Sequence, residues 1–517
     1  MLPDTRQVFA TAVAYRGRDP VLACAPPARP EWRRAHLKDP MPPHTDDTDI
    51  MSTAHASAAG LRGVALYRAH LSELVRLALP TMVQRGGVLT MSVVDTMMVG
   101  NYSAQELAYQ AIGYVPFSFM LLFLLGGIMG QLVVTSNAFG AGDDTACGAA
   151  WRRGVPYAAA LGLLGFVFCL FGGPVLALTG QTAELAREGG RVSMVLGLAM
   201  PFVLITVAGG YFLEGIKRPL PGMVLMIAAN LLNILANWLL VFGIGPFPEM
   251  GAVGSAVATA IVWTFQALII TLYIWHLRDR QRFGVRARVA AGWRAFWRGG
   301  ARQRELGYAA GASMGTENAA FSIMQLMAGT MGALALGSYT IAFNVFAVSF
   351  MAAVGISTAT AVRVGFYYGQ RDRHQMEVAG WIGLGFNLAV MTVLGGLLMV
   401  VGEPIASIYG DNGELIVLAA GLIGFIGLVL PFDTAQTVVA GGLRGMGETW
   451  VPTGFHVISY FLIMLPLAWL FGLHWERGPQ GLLEAFLIAS LFSAAVISLR
   501  FRVLARRGGA GGLANPE

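Results

Sequence analysis

Between Leu74 and Leu499 the apolar residues gather into twelve long runs, separated by short connections that hold most of the charge. The runs fall near 73–99, 110–138, 154–178, 189–214, 222–243 and 252–277, and after a basic stretch near 306–333, 338–366, 378–401, 415–441, 452–473 and 481–500. A hydrocarbon core is crossed by roughly 20 residues of helix, and each run supplies that length or more. The pattern predicts twelve transmembrane helices, each antiparallel to its neighbour because the connections are short. Three runs are interrupted by a carboxylate: Asp95, Glu317 and Asp433. An ionisable group is costly at that depth and usually marks an ion or substrate path.

Sequence echoes divide the twelve into two sets of six. Phe139-Gly140-Ala141-Gly142-Asp143 after the second run recurs 229 positions later as Tyr368-Gly369-Gln370-Arg371-Asp372. Leu213-Glu214-Gly215 after the fourth recurs 230 positions later as Leu443-Arg444-Gly445. Six is even, so both halves enter the membrane in the same sense, related by an axis along the membrane normal with a cavity between them. The fold class expected is an all-α integral membrane bundle of two six-helix lobes. The N-lobe covers 70–285, a basic linker 286–304 and the C-lobe 305–505, with tails at 1–60 and 506–517.

Composition agrees: 56% of residues are hydrophobic and 12% charged, and mean hydropathy is +0.61. A soluble chain would carry about a quarter charged residues. The 66 glycines suit close helix packing. The net charge of +6 does not point to nucleic acid, because its distribution is a topology signal. Arg62, Arg68, Arg76, Arg152, Arg153, Lys217, Arg218, Arg371, Arg373, Arg444 and Arg500 to Arg507 fall on one side, with nine arginines between His276 and Glu305. The connections 101–106, 245–250, 333–338 and 411–414 on the other side hold hardly any basic residue. Both termini and the central loop are therefore expected in the cytoplasm, in an inner-membrane, multi-pass protein whose arginine-rich loop also touches anionic lipid.

Residues 1–60 are Pro-rich and polar and read as a disordered tail, with translation from Met51 as the alternative. Cys24, Cys147 and Cys169 form no CxxC pair, so neither a disulfide framework nor a zinc site is expected. HExxH and GxxxxGK[ST] are also absent, so no enzyme is expected.

The segment Leu79-Pro80 followed by Val94-Asp95-Thr96-Met97-Met98-Val99-Gly100 resembles the first helix of the MATE (multidrug and toxic compound extrusion) transporters. The likeness continues at Asn233 to Trp238, Gly251 to Ala260, Val362-Arg363-Val364-Gly365 and Val438 to Gly447. It implies a V-shaped pair of lobes that exports organic, often cationic or amphipathic, compounds against inward Na⁺ or H⁺ flow, with no other cofactor and as a monomer in the lipid bilayer. The chain is most similar to the NorM-type branch, on Gly315-Thr316-Glu317-Asn318 and Phe432-Asp433-Thr434-Ala435-Gln436. Asn237 departs from other branches, which have a second N-lobe aspartate there, and this argues against a two-aspartate proton site. A lipid-linked saccharide flippase of the same superfamily is the competing expectation.

Glu317 lies about 11 residues into the seventh run and Asp433 about 8 residues from the same face in the tenth, so at roughly 1.5 Å per residue they share a depth to within a turn. Such a pair supplies hard oxygens for Na⁺ or shares a proton, and both are the candidate Na⁺ ligands. Asp95 follows Pro80 by 15 residues; the proline frees a carbonyl and permits a bend, giving Asp95 a coupling role. Asn230, Asn233 and Asn237 share one helix face and are candidates to line the Asp95 site or the substrate path. Asn344 and Asn318 carry the same argument more weakly. Arg85 faces the central cavity or pairs with a carboxylate on a neighbouring helix; in the cavity it would favour anionic or zwitterionic substrates. His456 reads as a packed histidine. Met91, Met97, Met98, Met324, Met327 and Met331 read either as adaptable ligand surface or as packing.

Overall fold

A computed structural model of the protein describes residues 63–287, 293–409 and 412–507. The expected N-terminal tail, with its alternative start at Met51, and the chain end beyond 507 lie outside the described residues. Twelve long helices follow in order: α1 Val64–Tyr102, α2 Ala104–Gly140, α3 Asp144–Leu170, α4 Ala183–Gly215, α5 Leu220–Val241, α6 Gly251–Trp275, α7 Ala301–Thr330, α8 Ala333–Gly369, α9 Arg373–Ser407, α10 Gly413–Gly445, α11 Trp450–His474 and α12 Gly478–Arg507. They form an all-α membrane bundle of two lobes.

Ten of the twelve are long and apolar enough to cross a membrane. The two that fall short, α1 and α7, open the two halves, and they carry Arg85, Asp95 and Glu317. The side chains with chemistry to offer are what dilute their hydropathy. The third expected span, 154–178, differs from the structure: α3 begins at Asp144 and stops at Leu170, and Gly172–Leu178 forms a separate short helix. Gly172, Gly173 and Pro174 interrupt the run there, proline because it has no N–H to donate.

The sequence repeat has a local cause. Asp143 caps α3 by accepting from Ala146 N at 2.9 Å, and its counterpart Asp372 caps α9 by accepting from Gln375 N at 3.1 Å. Each such cap contributes about 1 kcal/mol. The residue before each cap, Gly142 and Arg371, sits at positive φ to make the tight turn. Arg371 adopts this conformation without glycine's freedom, so the turn is held by its surroundings.

The lobes meet along one half of their length. Gly127 and Gly307 bring the backbones of α2 and α7 so close that a Cβ on Gly307 would overlap the Gly127 carbonyl, and Gly140 packs likewise on Phe366 of α8. Thr81 of α1 donates to Gly355 O of α8 at 3.1 Å. The Gly307 and Gly140 contacts lie towards the ends that carry the basic connections, and the Thr81 contact lies near mid-helix. Met97, Phe119, Leu326 and Val348, outside these contacts, are exposed.

Candidate functional site

Asp95 on α1 points to the interior of the N-lobe. Its Oδ1 accepts from Asn233 Nδ2 at 2.9 Å and Asn237 Nδ2 at 2.7 Å, and its Oδ2 accepts from Thr259 Oγ1 at 2.9 Å. Asn233 and Asn237 are one turn apart on α5 and fully buried, and Thr259 comes from α6, so three helices are tied to one carboxylate. Their amide oxygens have no partner among the described residues. Beside this cluster lies a cavity of about 150 Å³ lined in part by Ser92, Gln110, Tyr114 and Ser255. Asn230 is separate from it: its Nδ2 donates to Gly87 O at 3.1 Å and binds α5 to α1.

In the C-lobe, Asp433 is 0% exposed. Its Oδ1 accepts from Gln436 Nε2 at 2.6 Å and Ser490 Oγ at 3.0 Å, while its Oδ2 has no partner among the described residues, nor does Gln436 Oε1. Gln436 Nε2 also reaches Tyr460 Oη at 3.1 Å. Tyr460 lies on a π-helical stretch of α11, Ile458–Met464, a departure from α-helix often found at working sites. Glu317 on α7 is half-buried, with Asp433 and Arg444 within electrostatic reach. Asn344 is exposed on α8, and among the described residues neither its side chain nor that of Asn318 makes a hydrogen bond.

Arg85 does not stand alone. Its Nη2 donates to Glu214 Oε1 at 3.3 Å and Oε2 at 3.4 Å, and its guanidinium lies 5.4 Å from the Tyr211 ring centre. Of the two placements open from sequence, the structure gives the ion pair with a neighbouring helix. His456 is buried and pairs with Ser313 Oγ at 2.7 Å. The methionines divide: Met91 and Met324 are core, while Met97 is exposed.

A cluster where the lobes meet was not read from sequence. Glu73 of α1 accepts from Lys217 Nζ at 2.6 Å and, through its other oxygen, from Arg363 Nε of α8 at 3.2 Å. Arg363 also pairs with His70, and His70 with Gln375 of α9. Arg363 is 0% and Lys217 1% exposed, so one carboxylate holds two buried cations, one from each lobe. Lys217 Nζ stands 3.3 Å above the Phe366 ring, which adds a cross-lobe cation–π contact. The signal was an arginine inside the apolar eighth run.

Comparisons with known proteins agree with this geometry. The family model MatE matches residues 80–239 and again 309–470, once in each lobe. The chain belongs to the MATE family. It is similar to a "Probable multidrug resistance protein NorM" of Caulobacter vibrioides, 38% identical over 84% of this chain and 92% of that one. It is also similar to the multidrug resistance protein NorM of Vibrio vulnificus, 28% identical over 85% and 97%. This member of the family is therefore of NorM type. In fold it matches the eukaryotic MATE transporter AtDTX14, with TM-score 0.77 at 18% identity over 85% of this chain and 98% of that one. An outward-facing multidrug resistance MATE transporter matches with TM-score 0.75, over 87% and 99%.

Proposed function

We propose that this MATE-family protein is a secondary-active antiporter that exports amphipathic organic compounds in exchange for Na⁺ or H⁺. The observation that carries the reading is the C-lobe pair: Asp433 keeps a carboxylate oxygen without a partner among the described residues, in a fully buried setting within reach of a second acid. Two neighbouring carboxylates cannot both stay charged cheaply in apolar surroundings, so a small cation entering between them is bound firmly. Na⁺ would find hard oxygens from Asp433, Glu317 and the Gln436 amide; a proton would be held by the pair.

The basic ends, taken as cytoplasmic, are where the lobes touch, so the wedge opens outward. Ion binding from outside neutralises the C-lobe charge and favours the inward-open state; substrate entering from inside competes for the same charge and drives the return. The Glu73 cluster must open for each inward excursion. Asp95, with Asn233, Asn237 and Thr259, is a second coupling site that ties the bend at Pro80 to its own charge state. Asn230, Asn344 and Arg85 remain candidates along the substrate path. The protein acts as a monomer in the inner membrane with both termini cytoplasmic, needs no cofactor beyond the coupling ion, and is not an enzyme. The drug-resistance relatives weigh against the flippase reading.

Growth decides between the two. Deletion of the gene is expected to give drug hypersensitivity with a normal envelope; envelope failure without drug sensitivity would favour flipping and overturn export.

A further inference from the structure

At the repeat-equivalent positions 214 and 444 the two lobes carry opposite charges, Glu214 in α4 and Arg444 in α10. The N-lobe pair is closed, because Arg85 is bound to Glu214. The C-lobe counterpart is open. Among the described residues Arg444 takes part in no ion pair, and its one hydrogen-bond contact runs from Nη1 to Met129 Sδ of the opposite lobe at 3.8 Å. Arg444 is half-buried, and through Met129 it touches the opposite lobe. Glu317 lies within electrostatic reach of Arg444, yet among the described residues no carboxylate fills its donor fork, and a guanidinium fork matches a carboxylate through two parallel hydrogen bonds.

We propose that Arg444 is a specificity-determining residue that receives the carboxylate of zwitterionic organic substrates, while Glu317 faces the cationic end of the same molecule. This rests on the export reading above and narrows its substrate class. The cationic end takes the place of the coupling ion, and the anionic end selects zwitterions over simple cations. A role confined to the last turn of α10, where a positive side chain favours the helix end, is the structural alternative.

The probe is a pair of rhodamines that differ in one group, a free acid and its ethyl ester. Binding to the purified protein is followed by fluorescence polarisation, and efflux by proteoliposomes. Arg444→Gln is expected to lower the acid-to-ester affinity ratio roughly tenfold, by weakening the acid and leaving the ester within about twofold. Arg444→Lys, which keeps the charge at the helix end but loses the fork, should retain part of the discrimination and carries the test if the glutamine variant does not fold. Glu317→Gln should weaken both dyes. An unchanged ratio in the Arg444 variants, with both dyes shifted together, overturns the assignment. Discrimination by binding with no efflux of either dye would instead leave Arg444 as assigned and contradict export.

Discussion

In the N-lobe both oxygens of Asp95 are engaged, Oδ1 by Asn233 and Asn237 and Oδ2 by Thr259; the acceptors left over there are neutral amide oxygens. In the C-lobe Asp433 has two donors on Oδ1 and, among the described residues, none on Oδ2, and a second acid stands within reach. A carboxylate surrounded by donors is already compensated and gains less from a cation. One with a free oxygen beside another acid gains much more. The contrast assigns the main coupling energy to the C-lobe and a supporting part to the N-lobe.

The largest effect is therefore expected at Asp433→Asn and Glu317→Gln. Each should lower gradient-driven efflux by roughly 100-fold while expression and membrane insertion stay normal, in line with coupling energies of about 1–3 kcal/mol. Asp95→Asn should cost less, on the order of tenfold, because the amide can keep part of the Asn233, Asn237 and Thr259 network. A larger loss at Asp95 than at Asp433 would reverse the comparison.

The Glu73 cluster sharpens it in another way, since it belongs to both lobes. Glu73→Gln leaves Lys217 and Arg363 buried without their shared carboxylate. It is expected to cost about 3 kcal/mol, read as a lowered thermal midpoint, and to raise the labelling of cysteines placed at the basic ends of α1 and α8. No change in labelling would mean that the cluster does not hold that mouth shut. The smallest change is expected from Thr259→Val, which removes one of three donors to Asp95 and should alter efflux only by about threefold, near the lower end of the roughly 0.5–1.5 kcal/mol a hydrogen bond contributes.

Much of this was legible in the chain because lipid makes polarity conspicuous. Asp95, Glu317 and Asp433 stood out as charges in apolar runs, and the Asp143 and Asp372 echo marked matching helix caps in two lobes. Asn233 and Asn237 were read as lining either the Asp95 site or the substrate path, and the structure puts both amides on Asp95 Oδ1. Asn230 was read with them, yet a further turn towards the helix start carries it away from Asp95 and onto the Gly87 carbonyl. Partners across sequence were not legible. Arg85 could be assigned to a cavity or to a carboxylate, and only the approach of α1 to α4 selects Glu214. Lys217, a basic residue in a connection, looked like a topology marker, whereas the turn at positive φ folds it inward against Glu73 and Phe366. Arg444 was counted for its side of the membrane, and that it forms no ion pair among the described residues emerges only when the lobes are brought together.

Reconstituted efflux under imposed sodium and proton gradients, applied one at a time, bears most directly on the C-lobe acids. Wild type should export under at least one gradient, and Asp433→Asn should export under neither while Asp95→Asn keeps measurable activity. Full gradient-driven efflux in both Asp433→Asn and Glu317→Gln would contradict the account.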